Sequence, residues 1–153
     1  MHLFVDASYG VHVDGKSHTG SCVVIGDLGA LHCRSSKQQI VTKSSREAEL
    51  VRLSDSAIED LYLRNFLTLQ GYRMAPLSCM ALLARGRSGG EQTRHIAIRY
   101  FWVKDRMDRG EAAIVHKGTA ELCANVLAKP LQGEQFVYQR ECLTGWAVTE
   151  KAK

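Results

Sequence analysis

Lys43-Ser44-Ser45-Arg46-Glu47-Ala48-Glu49-Leu50 opens a run that continues to Gln70 without a proline or glycine, and its reading decides the fold. Ser44 and Glu47 have the spacing of a capping box, in which each side chain satisfies an orphan N–H of a first helical turn. Leu50, Leu53, Ala57 and Leu61 recur at helical spacing, as do Val51, Ile58, Tyr62 and Leu69. Such a helix runs ~36 Å at 1.5 Å per residue, enough to cross a sheet, and Gly71 stops it. The spacing predicts a wide apolar face, with Glu47 and Glu49 near the positive end of the helix. Those two glutamates read either as dipole complementarity or as functional carboxylates. The strand at the start of the chain brings in the second reading, because Leu3 to Tyr9 is apolar apart from one carboxylate, Asp6.

Between that strand and the helix lie two more strands. Turn formers Asp14-Gly15-Lys16-Ser17 lead to Gly20, Cys22 to Ile25 is apolar and β-branched, and Gly26-Asp27-Leu28-Gly29 turns the chain into Ala30 to Arg34. Hairpin-length links predict an antiparallel meander. Beyond the helix, Leu77 to Ala84 is apolar enough for a strand or a helix, and Arg85-Gly86-Arg87-Ser88-Gly89-Gly90 is a basic, glycine-rich loop. A second helix is expected from Thr93 to Met107, with Ile96, Tyr100, Val103 and Met107 on one stripe and His95, Arg99, Trp102 and Arg106 beside it. Ala112 to His116 reads as a strand, Thr119 to Leu127 as a helix broken by Pro130, and Gln132 to Trp146 as a terminal helix. The division expected is a main domain over 1–131 and a helical extension with a frayed tail over 132–153.

With 153 residues, 45% hydrophobic and 24% charged, the chain fits one globular domain with a real core. Its net charge of +4 permits a polyanionic partner without demanding one. Cysteines 22, 33, 79, 123 and 142 are odd in number and never form Cys-x-x-Cys, which points to reduced thiols in an intracellular setting. Cys22, Cys79 and Cys123 sit among apolar neighbours and read as core residues. No membrane-spanning run or signal peptide is visible, and a start almost directly on a strand suggests a piece of something longer. No His-x-x-x-His pair suggests zinc, Gly86 and Gly89 lack the context of a nucleotide loop, and no Gly-x-Ser-x-Gly elbow is present. Arg85, Arg87, Arg94, Arg99 and Arg106, with His95, are candidates for a phosphate-tracking face, the alternative being a solvated basic helix surface.

Five stretches in order carry a family resemblance. They are Val5-Asp6-Ala7-Ser8, Ser35-Ser36-Lys37-Gln38-Gln39, Ser44 to Leu50, Thr93 to Tyr100, and Ala124-Asn125-Val126-Leu127-Ala128-Lys129-Pro130-Leu131. Together they resemble the ribonuclease H domain of copia-type LTR retrotransposon Pol polyproteins, from Leu3 to about Phe136. The resemblance implies an α/β fold, a mixed five-stranded sheet flanked by helices. It also implies an endonuclease that cleaves the RNA of RNA–DNA hybrids with two Mg²⁺ ions held by four carboxylates, one activating water and the other stabilising the leaving oxygen. The hybrid would be recognised by backbone shape and the 2′-OH.

Carried over by position, Asp6 and Glu49 match the first and second carboxylates and the implied metal ligands. Asn125 stands at the fourth. The third has no counterpart, since no Asp or Glu occurs between Asp60 and Glu91. The strand that should bear it is deleted or replaced by residues 77–83, with replacement favoured because a central strand left unpaired would strand backbone polar groups. Two carboxylates suit at most one Mg²⁺, so the expectation is an impaired nuclease, the alternative a non-catalytic nucleic-acid-binding module or an inactive retroelement relic. Nucleic acid is the expected partner, in the cytoplasm or nucleus, without membrane and without the reverse transcriptase and integrase parts of a polyprotein.

Overall fold

The computed structural model describes residues 1–26, 29–81, 94–118 and 121–145, with the backbone alone for Met80, Ala81 and His95. Three strands, β1 (His2–Ser8), β2 (His18–Val24) and β3 (Ala30–Lys37), form the expected antiparallel meander. β2 begins four residues before the expected Cys22, because His18 to Ser21 pair with β3 through the stretch of sequence read as loop. Helix α1 (Ser45–Leu69) follows, then β4 (Leu77–Ala81), α2 (Arg94–Asp108), β5 (Ala112–His116), α3 (Asn125–Ala128) and α4 (Gly133–Thr144). The sheet order is β3-β2-β1-β4-β5, with β4 parallel to both β1 and β5. Residues 77–81 therefore fill the central slot; 82 and 83 lie outside the described residues.

Both ends of α1 are set by local chemistry. Ser44 Oγ accepts from the Glu47 N–H at 3.2 Å, while Glu47 Oε2 reaches the N–H of Lys43 at 2.7 Å, one residue beyond the usual reciprocal bond. At the far end Gly71 adopts φ +93°, and the N–H groups of Gly71 and Tyr72 close onto Thr68 and Leu67. Alternation along β1 splits the interior in two. Leu3 and Val5 join Val23, Leu77 and Cys79 beneath Leu50, Leu53, Ala57 and Leu61 of α1 and Ile96 and Val103 of α2. On the opposite face Phe4 packs with Cys22, Cys123 and Ala124. Ile58, Tyr62 and Leu69 are exposed, contrary to the wide apolar face expected, because the sheet covers only one side of α1.

The helix expected from Thr119 to Leu127 is also corrected. Residues 119 and 120 lie outside the described residues, 122–124 form a turn, and α3 is a single four-residue turn packed on β2 and β1. Its seat is Gly20. A Cβ at that position would lie 2.6 Å from Ala128 N and 2.7 Å from Leu127 C, so only glycine lets the α3 backbone approach. Gly20 is also the ladder partner of Asp6, which fixes α3 beside that carboxylate. Ser8 Oγ donates to Ala128 O at 2.8 Å, Ser35 Oγ to Leu127 O at 2.7 Å, and buried Gln139 of α4 accepts from Val126 N at 3.0 Å. Gln38, from the Ser35–Gln39 stretch, donates to Thr19 Oγ1 and to Ala48 O, tying β2 to α1. Among the described residues no helix is long and apolar enough to cross a membrane.

A polar stripe runs through the buried side of α1. Arg52 is 1% exposed and Asp60 3%, two turns apart with Ser56 between them. Burial lowers the Arg52 guanidinium to about 9, with the Asp6 charge opposing. Burial, helped by Glu59, raises Asp60 to about 7 against the pull of Arg52.

Two predictions follow from this packing. Gly20→Ala should cost about 2 kcal/mol or more, because backbone atoms cannot rotate away from the new methyl; a wild-type urea midpoint would mean that α3 does not rest on β2. Asp60 keeps its proton to higher pH folded than unfolded, so its stabilising contribution is complete below about pH 4 and is lost as pH rises to about 7. Asp60→Asn should abolish that loss and stabilise the protein at pH 8 by on the order of 3 kcal/mol. Parallel pH–stability curves for the two proteins would contradict it.

Candidate functional site

β1 carries Asp6 on the face that meets α3, with its side chain 1% exposed. The start of α1 brings Glu49, half-buried, into electrostatic reach of it. Burial raises the Glu49 pKa most and the Asp6 charge adds to the rise, while Lys129, Arg46 and His116 oppose. Asn125 opens α3 and is 1% exposed, and its Oδ1 has no hydrogen-bond partner among the described residues.

Next to these residues stands one that the sequence did not single out. Lys129 immediately follows α3 and places Nζ 2.9 Å from Asp6 Oδ2. Its backbone is pinned on both sides: Lys129 N–H donates to Asn125 O at 2.9 Å, and Leu131 N–H to Lys129 O at 2.9 Å. Arg52 approaches Asp6 from α1, with none of its three guanidinium nitrogens in a hydrogen bond to a described residue. Two carboxylates thus share the reach of three cationic side chains, Lys129, Arg52 and Arg46. Lys129 falls within a stretch quoted above, and its distance in sequence from β1 concealed the contact. Arg52, three residues after Glu49 among apolar neighbours, was the legible one.

β4 stands where a further carboxylate would be needed and reads Leu77-Ser78-Cys79-Met80-Ala81. No group of three or more His, Cys, Asp or Glu side chains among the described residues is placed to hold a metal. The donor set does not fit a pair of dications. Each dication needs several converging anionic oxygens, and one of the two carboxylates present is already in contact with an ammonium.

Of the expected nucleic-acid-binding residues, Arg85 and Arg87 lie outside the described residues, as does the His95 side chain. Arg94 is exposed at the start of α2. Arg99 is turned inward: it donates to Ser54 Oγ at 2.9 Å and pairs with Asp55, bridging α2 to α1. Arg106 pairs with Asp105 and Glu111 and lies over the Trp102 ring. A cavity of about 350 Å³ opens beside Lys129, lined by Ser8, Val11, His18 and residues 126–130. His18 anchors its wall, with Nδ1 3.1 Å from His12 Nε2 and Nε2 2.9 Å from Ser35 Oγ. Burial first, then His12 and Arg52, lower the pKa of His18.

No protein-family model matches the chain. It is 26% identical over 143 residues to the retrovirus-related Pol polyprotein from transposon RE1 of Arabidopsis thaliana, covering 89% of this chain. It is likewise 26% identical over 144 residues to that from transposon TNT 1-94 of Nicotiana tabacum, covering 90%. The chain spans only about a tenth of the length of these curated relatives (10% and 11%). Among solved structures, LC11-RNase H1 in complex with an RNA/DNA hybrid superposes with a TM-score of 0.59 at 14% identity, over 82% of this chain and 91% of that one. At that identity the likeness speaks for the fold, and the polyproteins supply the kinship in sequence. The chain is a ribonuclease H-like domain related to the Pol polyproteins of copia-type retrotransposons.

Proposed function

We propose that this domain binds RNA–DNA hybrids and that its metal-dependent cleavage is impaired. The observation that carries this reading is the contact between Lys129 and Asp6, in a site with only two carboxylates. Hydrolysis in this fold depends on negative charge concentrated where dications gather. Here the local balance is cationic. Asp6, Glu49 and Asn125 are the residues proposed to line the reacting position, and Asp6 and Glu49 the ligands of any divalent ion. A single Mg²⁺ is the most this pair could take, and only by displacing Lys129. Hybrid as the ligand is supported by the neighbour of the same fold that was solved with one. The proposed contacts to the phosphate backbone are Arg85, Arg87, Arg94 and His95. Arg99, held by Asp55, is a weaker candidate.

Two measurements on one labelled hybrid test the proposal. The pure domain should leave the RNA strand intact in Mg²⁺ or Mn²⁺, whereas robust metal-dependent cleavage would overturn the impairment. It should bind the hybrid with log affinity falling against log salt at a slope of about −3, as three arginines neutralising one phosphate each imply. Arg94→Ala should reduce that slope by about 1. Absence of salt-dependent binding would remove the ligand assignment.

A further inference from the structure

We propose that Lys129 is the resident cation of the Asp6–Glu49 pair, so that its ammonium holds the place beside Asp6 that a divalent ion would need and excludes that ion, although neither Asp6 oxygen has a hydrogen-bond partner among the described residues. The proposal rests on reading these two carboxylates as the centre of the site.

Three independent features of the chain converge on this placement. First, the seat of α3 is sterically dictated. Gly20, the ladder partner of Asp6, has the α3 backbone so close that no side chain could replace its hydrogen. Second, Lys129 directly follows α3 in extended backbone, at φ −138° and ψ 146°, which directs the chain back across β1. Ser8 holds the preceding carbonyl from the same strand that carries Asp6. Third, the buried carboxylate meets a cation supplied by the chain itself. Asp6 is almost wholly buried, so its charge needs a counter-charge inside the protein. Lys129 Nζ supplies one at 2.9 Å while its stem stays a third exposed, the geometry of a long side chain reaching inward from the rim. Arg52, buried beneath the same strand, supplies a second positive charge within electrostatic reach of Asp6. A dication entering such a site would meet two negative charges already matched by two positive ones, with Arg46 adding a third. It would have to expel the ammonium before it could touch Asp6.

The test is binding of Mn²⁺, which reports through paramagnetic broadening without any reaction. In the wild-type domain, amide signals of β1 and of the first turn of α1 should keep their intensity through millimolar Mn²⁺, and the melting temperature should not rise. Lys129→Met removes the ammonium and keeps most of the stem. This variant should melt lower than wild type in metal-free buffer, bind about one Mn²⁺ at the Asp6–Glu49 position, and recover melting temperature as Mn²⁺ is added. Adding Glu49→Gln to it should abolish that recovery. Saturable, site-localised broadening in the wild type at micromolar Mn²⁺ would overturn the proposal, as would a folded Lys129→Met protein that gains no Mn²⁺ affinity. If Lys129→Met does not fold, the wild-type spectrum alone decides. Loss of hybrid binding would remove the functional reading and leave this assignment standing, so the two can fail separately.

Discussion

A carboxylate sealed beneath a sheet has to be neutralised, and the contact between Asp6 and Lys129 does this here. Much of the architecture serves that contact. β1 must occupy the middle of the sheet for Asp6 to be buried, which requires β4 on one side and β2 on the other. β2 must carry glycine opposite Asp6 for α3 to come within reach. α3 must stop after one turn for the chain to swing Lys129 inward. Removing Lys129 from such a pair leaves Asp6 charged and buried, which ties the stability of the fold to the site.

The same contact carries the proposal that cleavage is impaired in this domain. Ribonuclease H-like folds bring acidic side chains from a central strand, a first helix and later segments to one edge of the sheet. Here the strand and the first helix carry Asp6 and Glu49, and the later segments bring Asn125 and Lys129, while Cys79 of β4 lies in the core on the other face of the sheet. Each replacement moves the site in one direction, from anionic oxygen towards neutral or positive groups. Arg52 on the inner face of α1 goes further the same way, with Asp60 two turns along as a buried carboxylate whose pKa is pushed up. The scaffold as proposed thus holds two carboxylates among three cations. A surface that tracks phosphates needs only the scaffold and its arginines, so binding can outlast cleavage.

How far the sequence reveals this varies with the range of the interaction. Local chemistry was the most legible: the Ser44–Glu47 cap, Gly71 as a stop, and the meander, though not the start of β2, are written within a few positions of each other. Medium-range pattern was legible in part. Leu77 to Ala84 was ambiguous in periodicity, and the need to pair β1 decided in favour of a strand. The α1 stripe correctly marked Leu50, Leu53 and Leu61 as core but included Ile58, Tyr62 and Leu69, because helical spacing does not reveal how wide a face the sheet covers. Of the helix expected to reach Leu127, the described residues form only α3, which packs closely on Gly20. Least legible was Lys129. A lysine next to a proline reads as surface, and only the three-dimensional return of the chain to β1 gives it a partner.

A double-mutant cycle on Asp6 and Lys129 tests the central contact most directly. Asp6→Asn, Lys129→Met and the double variant would be compared by denaturant unfolding at neutral pH. If the pair neutralises itself inside the fold, each single change destabilises, and the double change costs less than the sum by about 2 kcal/mol. Strictly additive effects would mean that the two side chains do not meet, and the reading of the site would go with them.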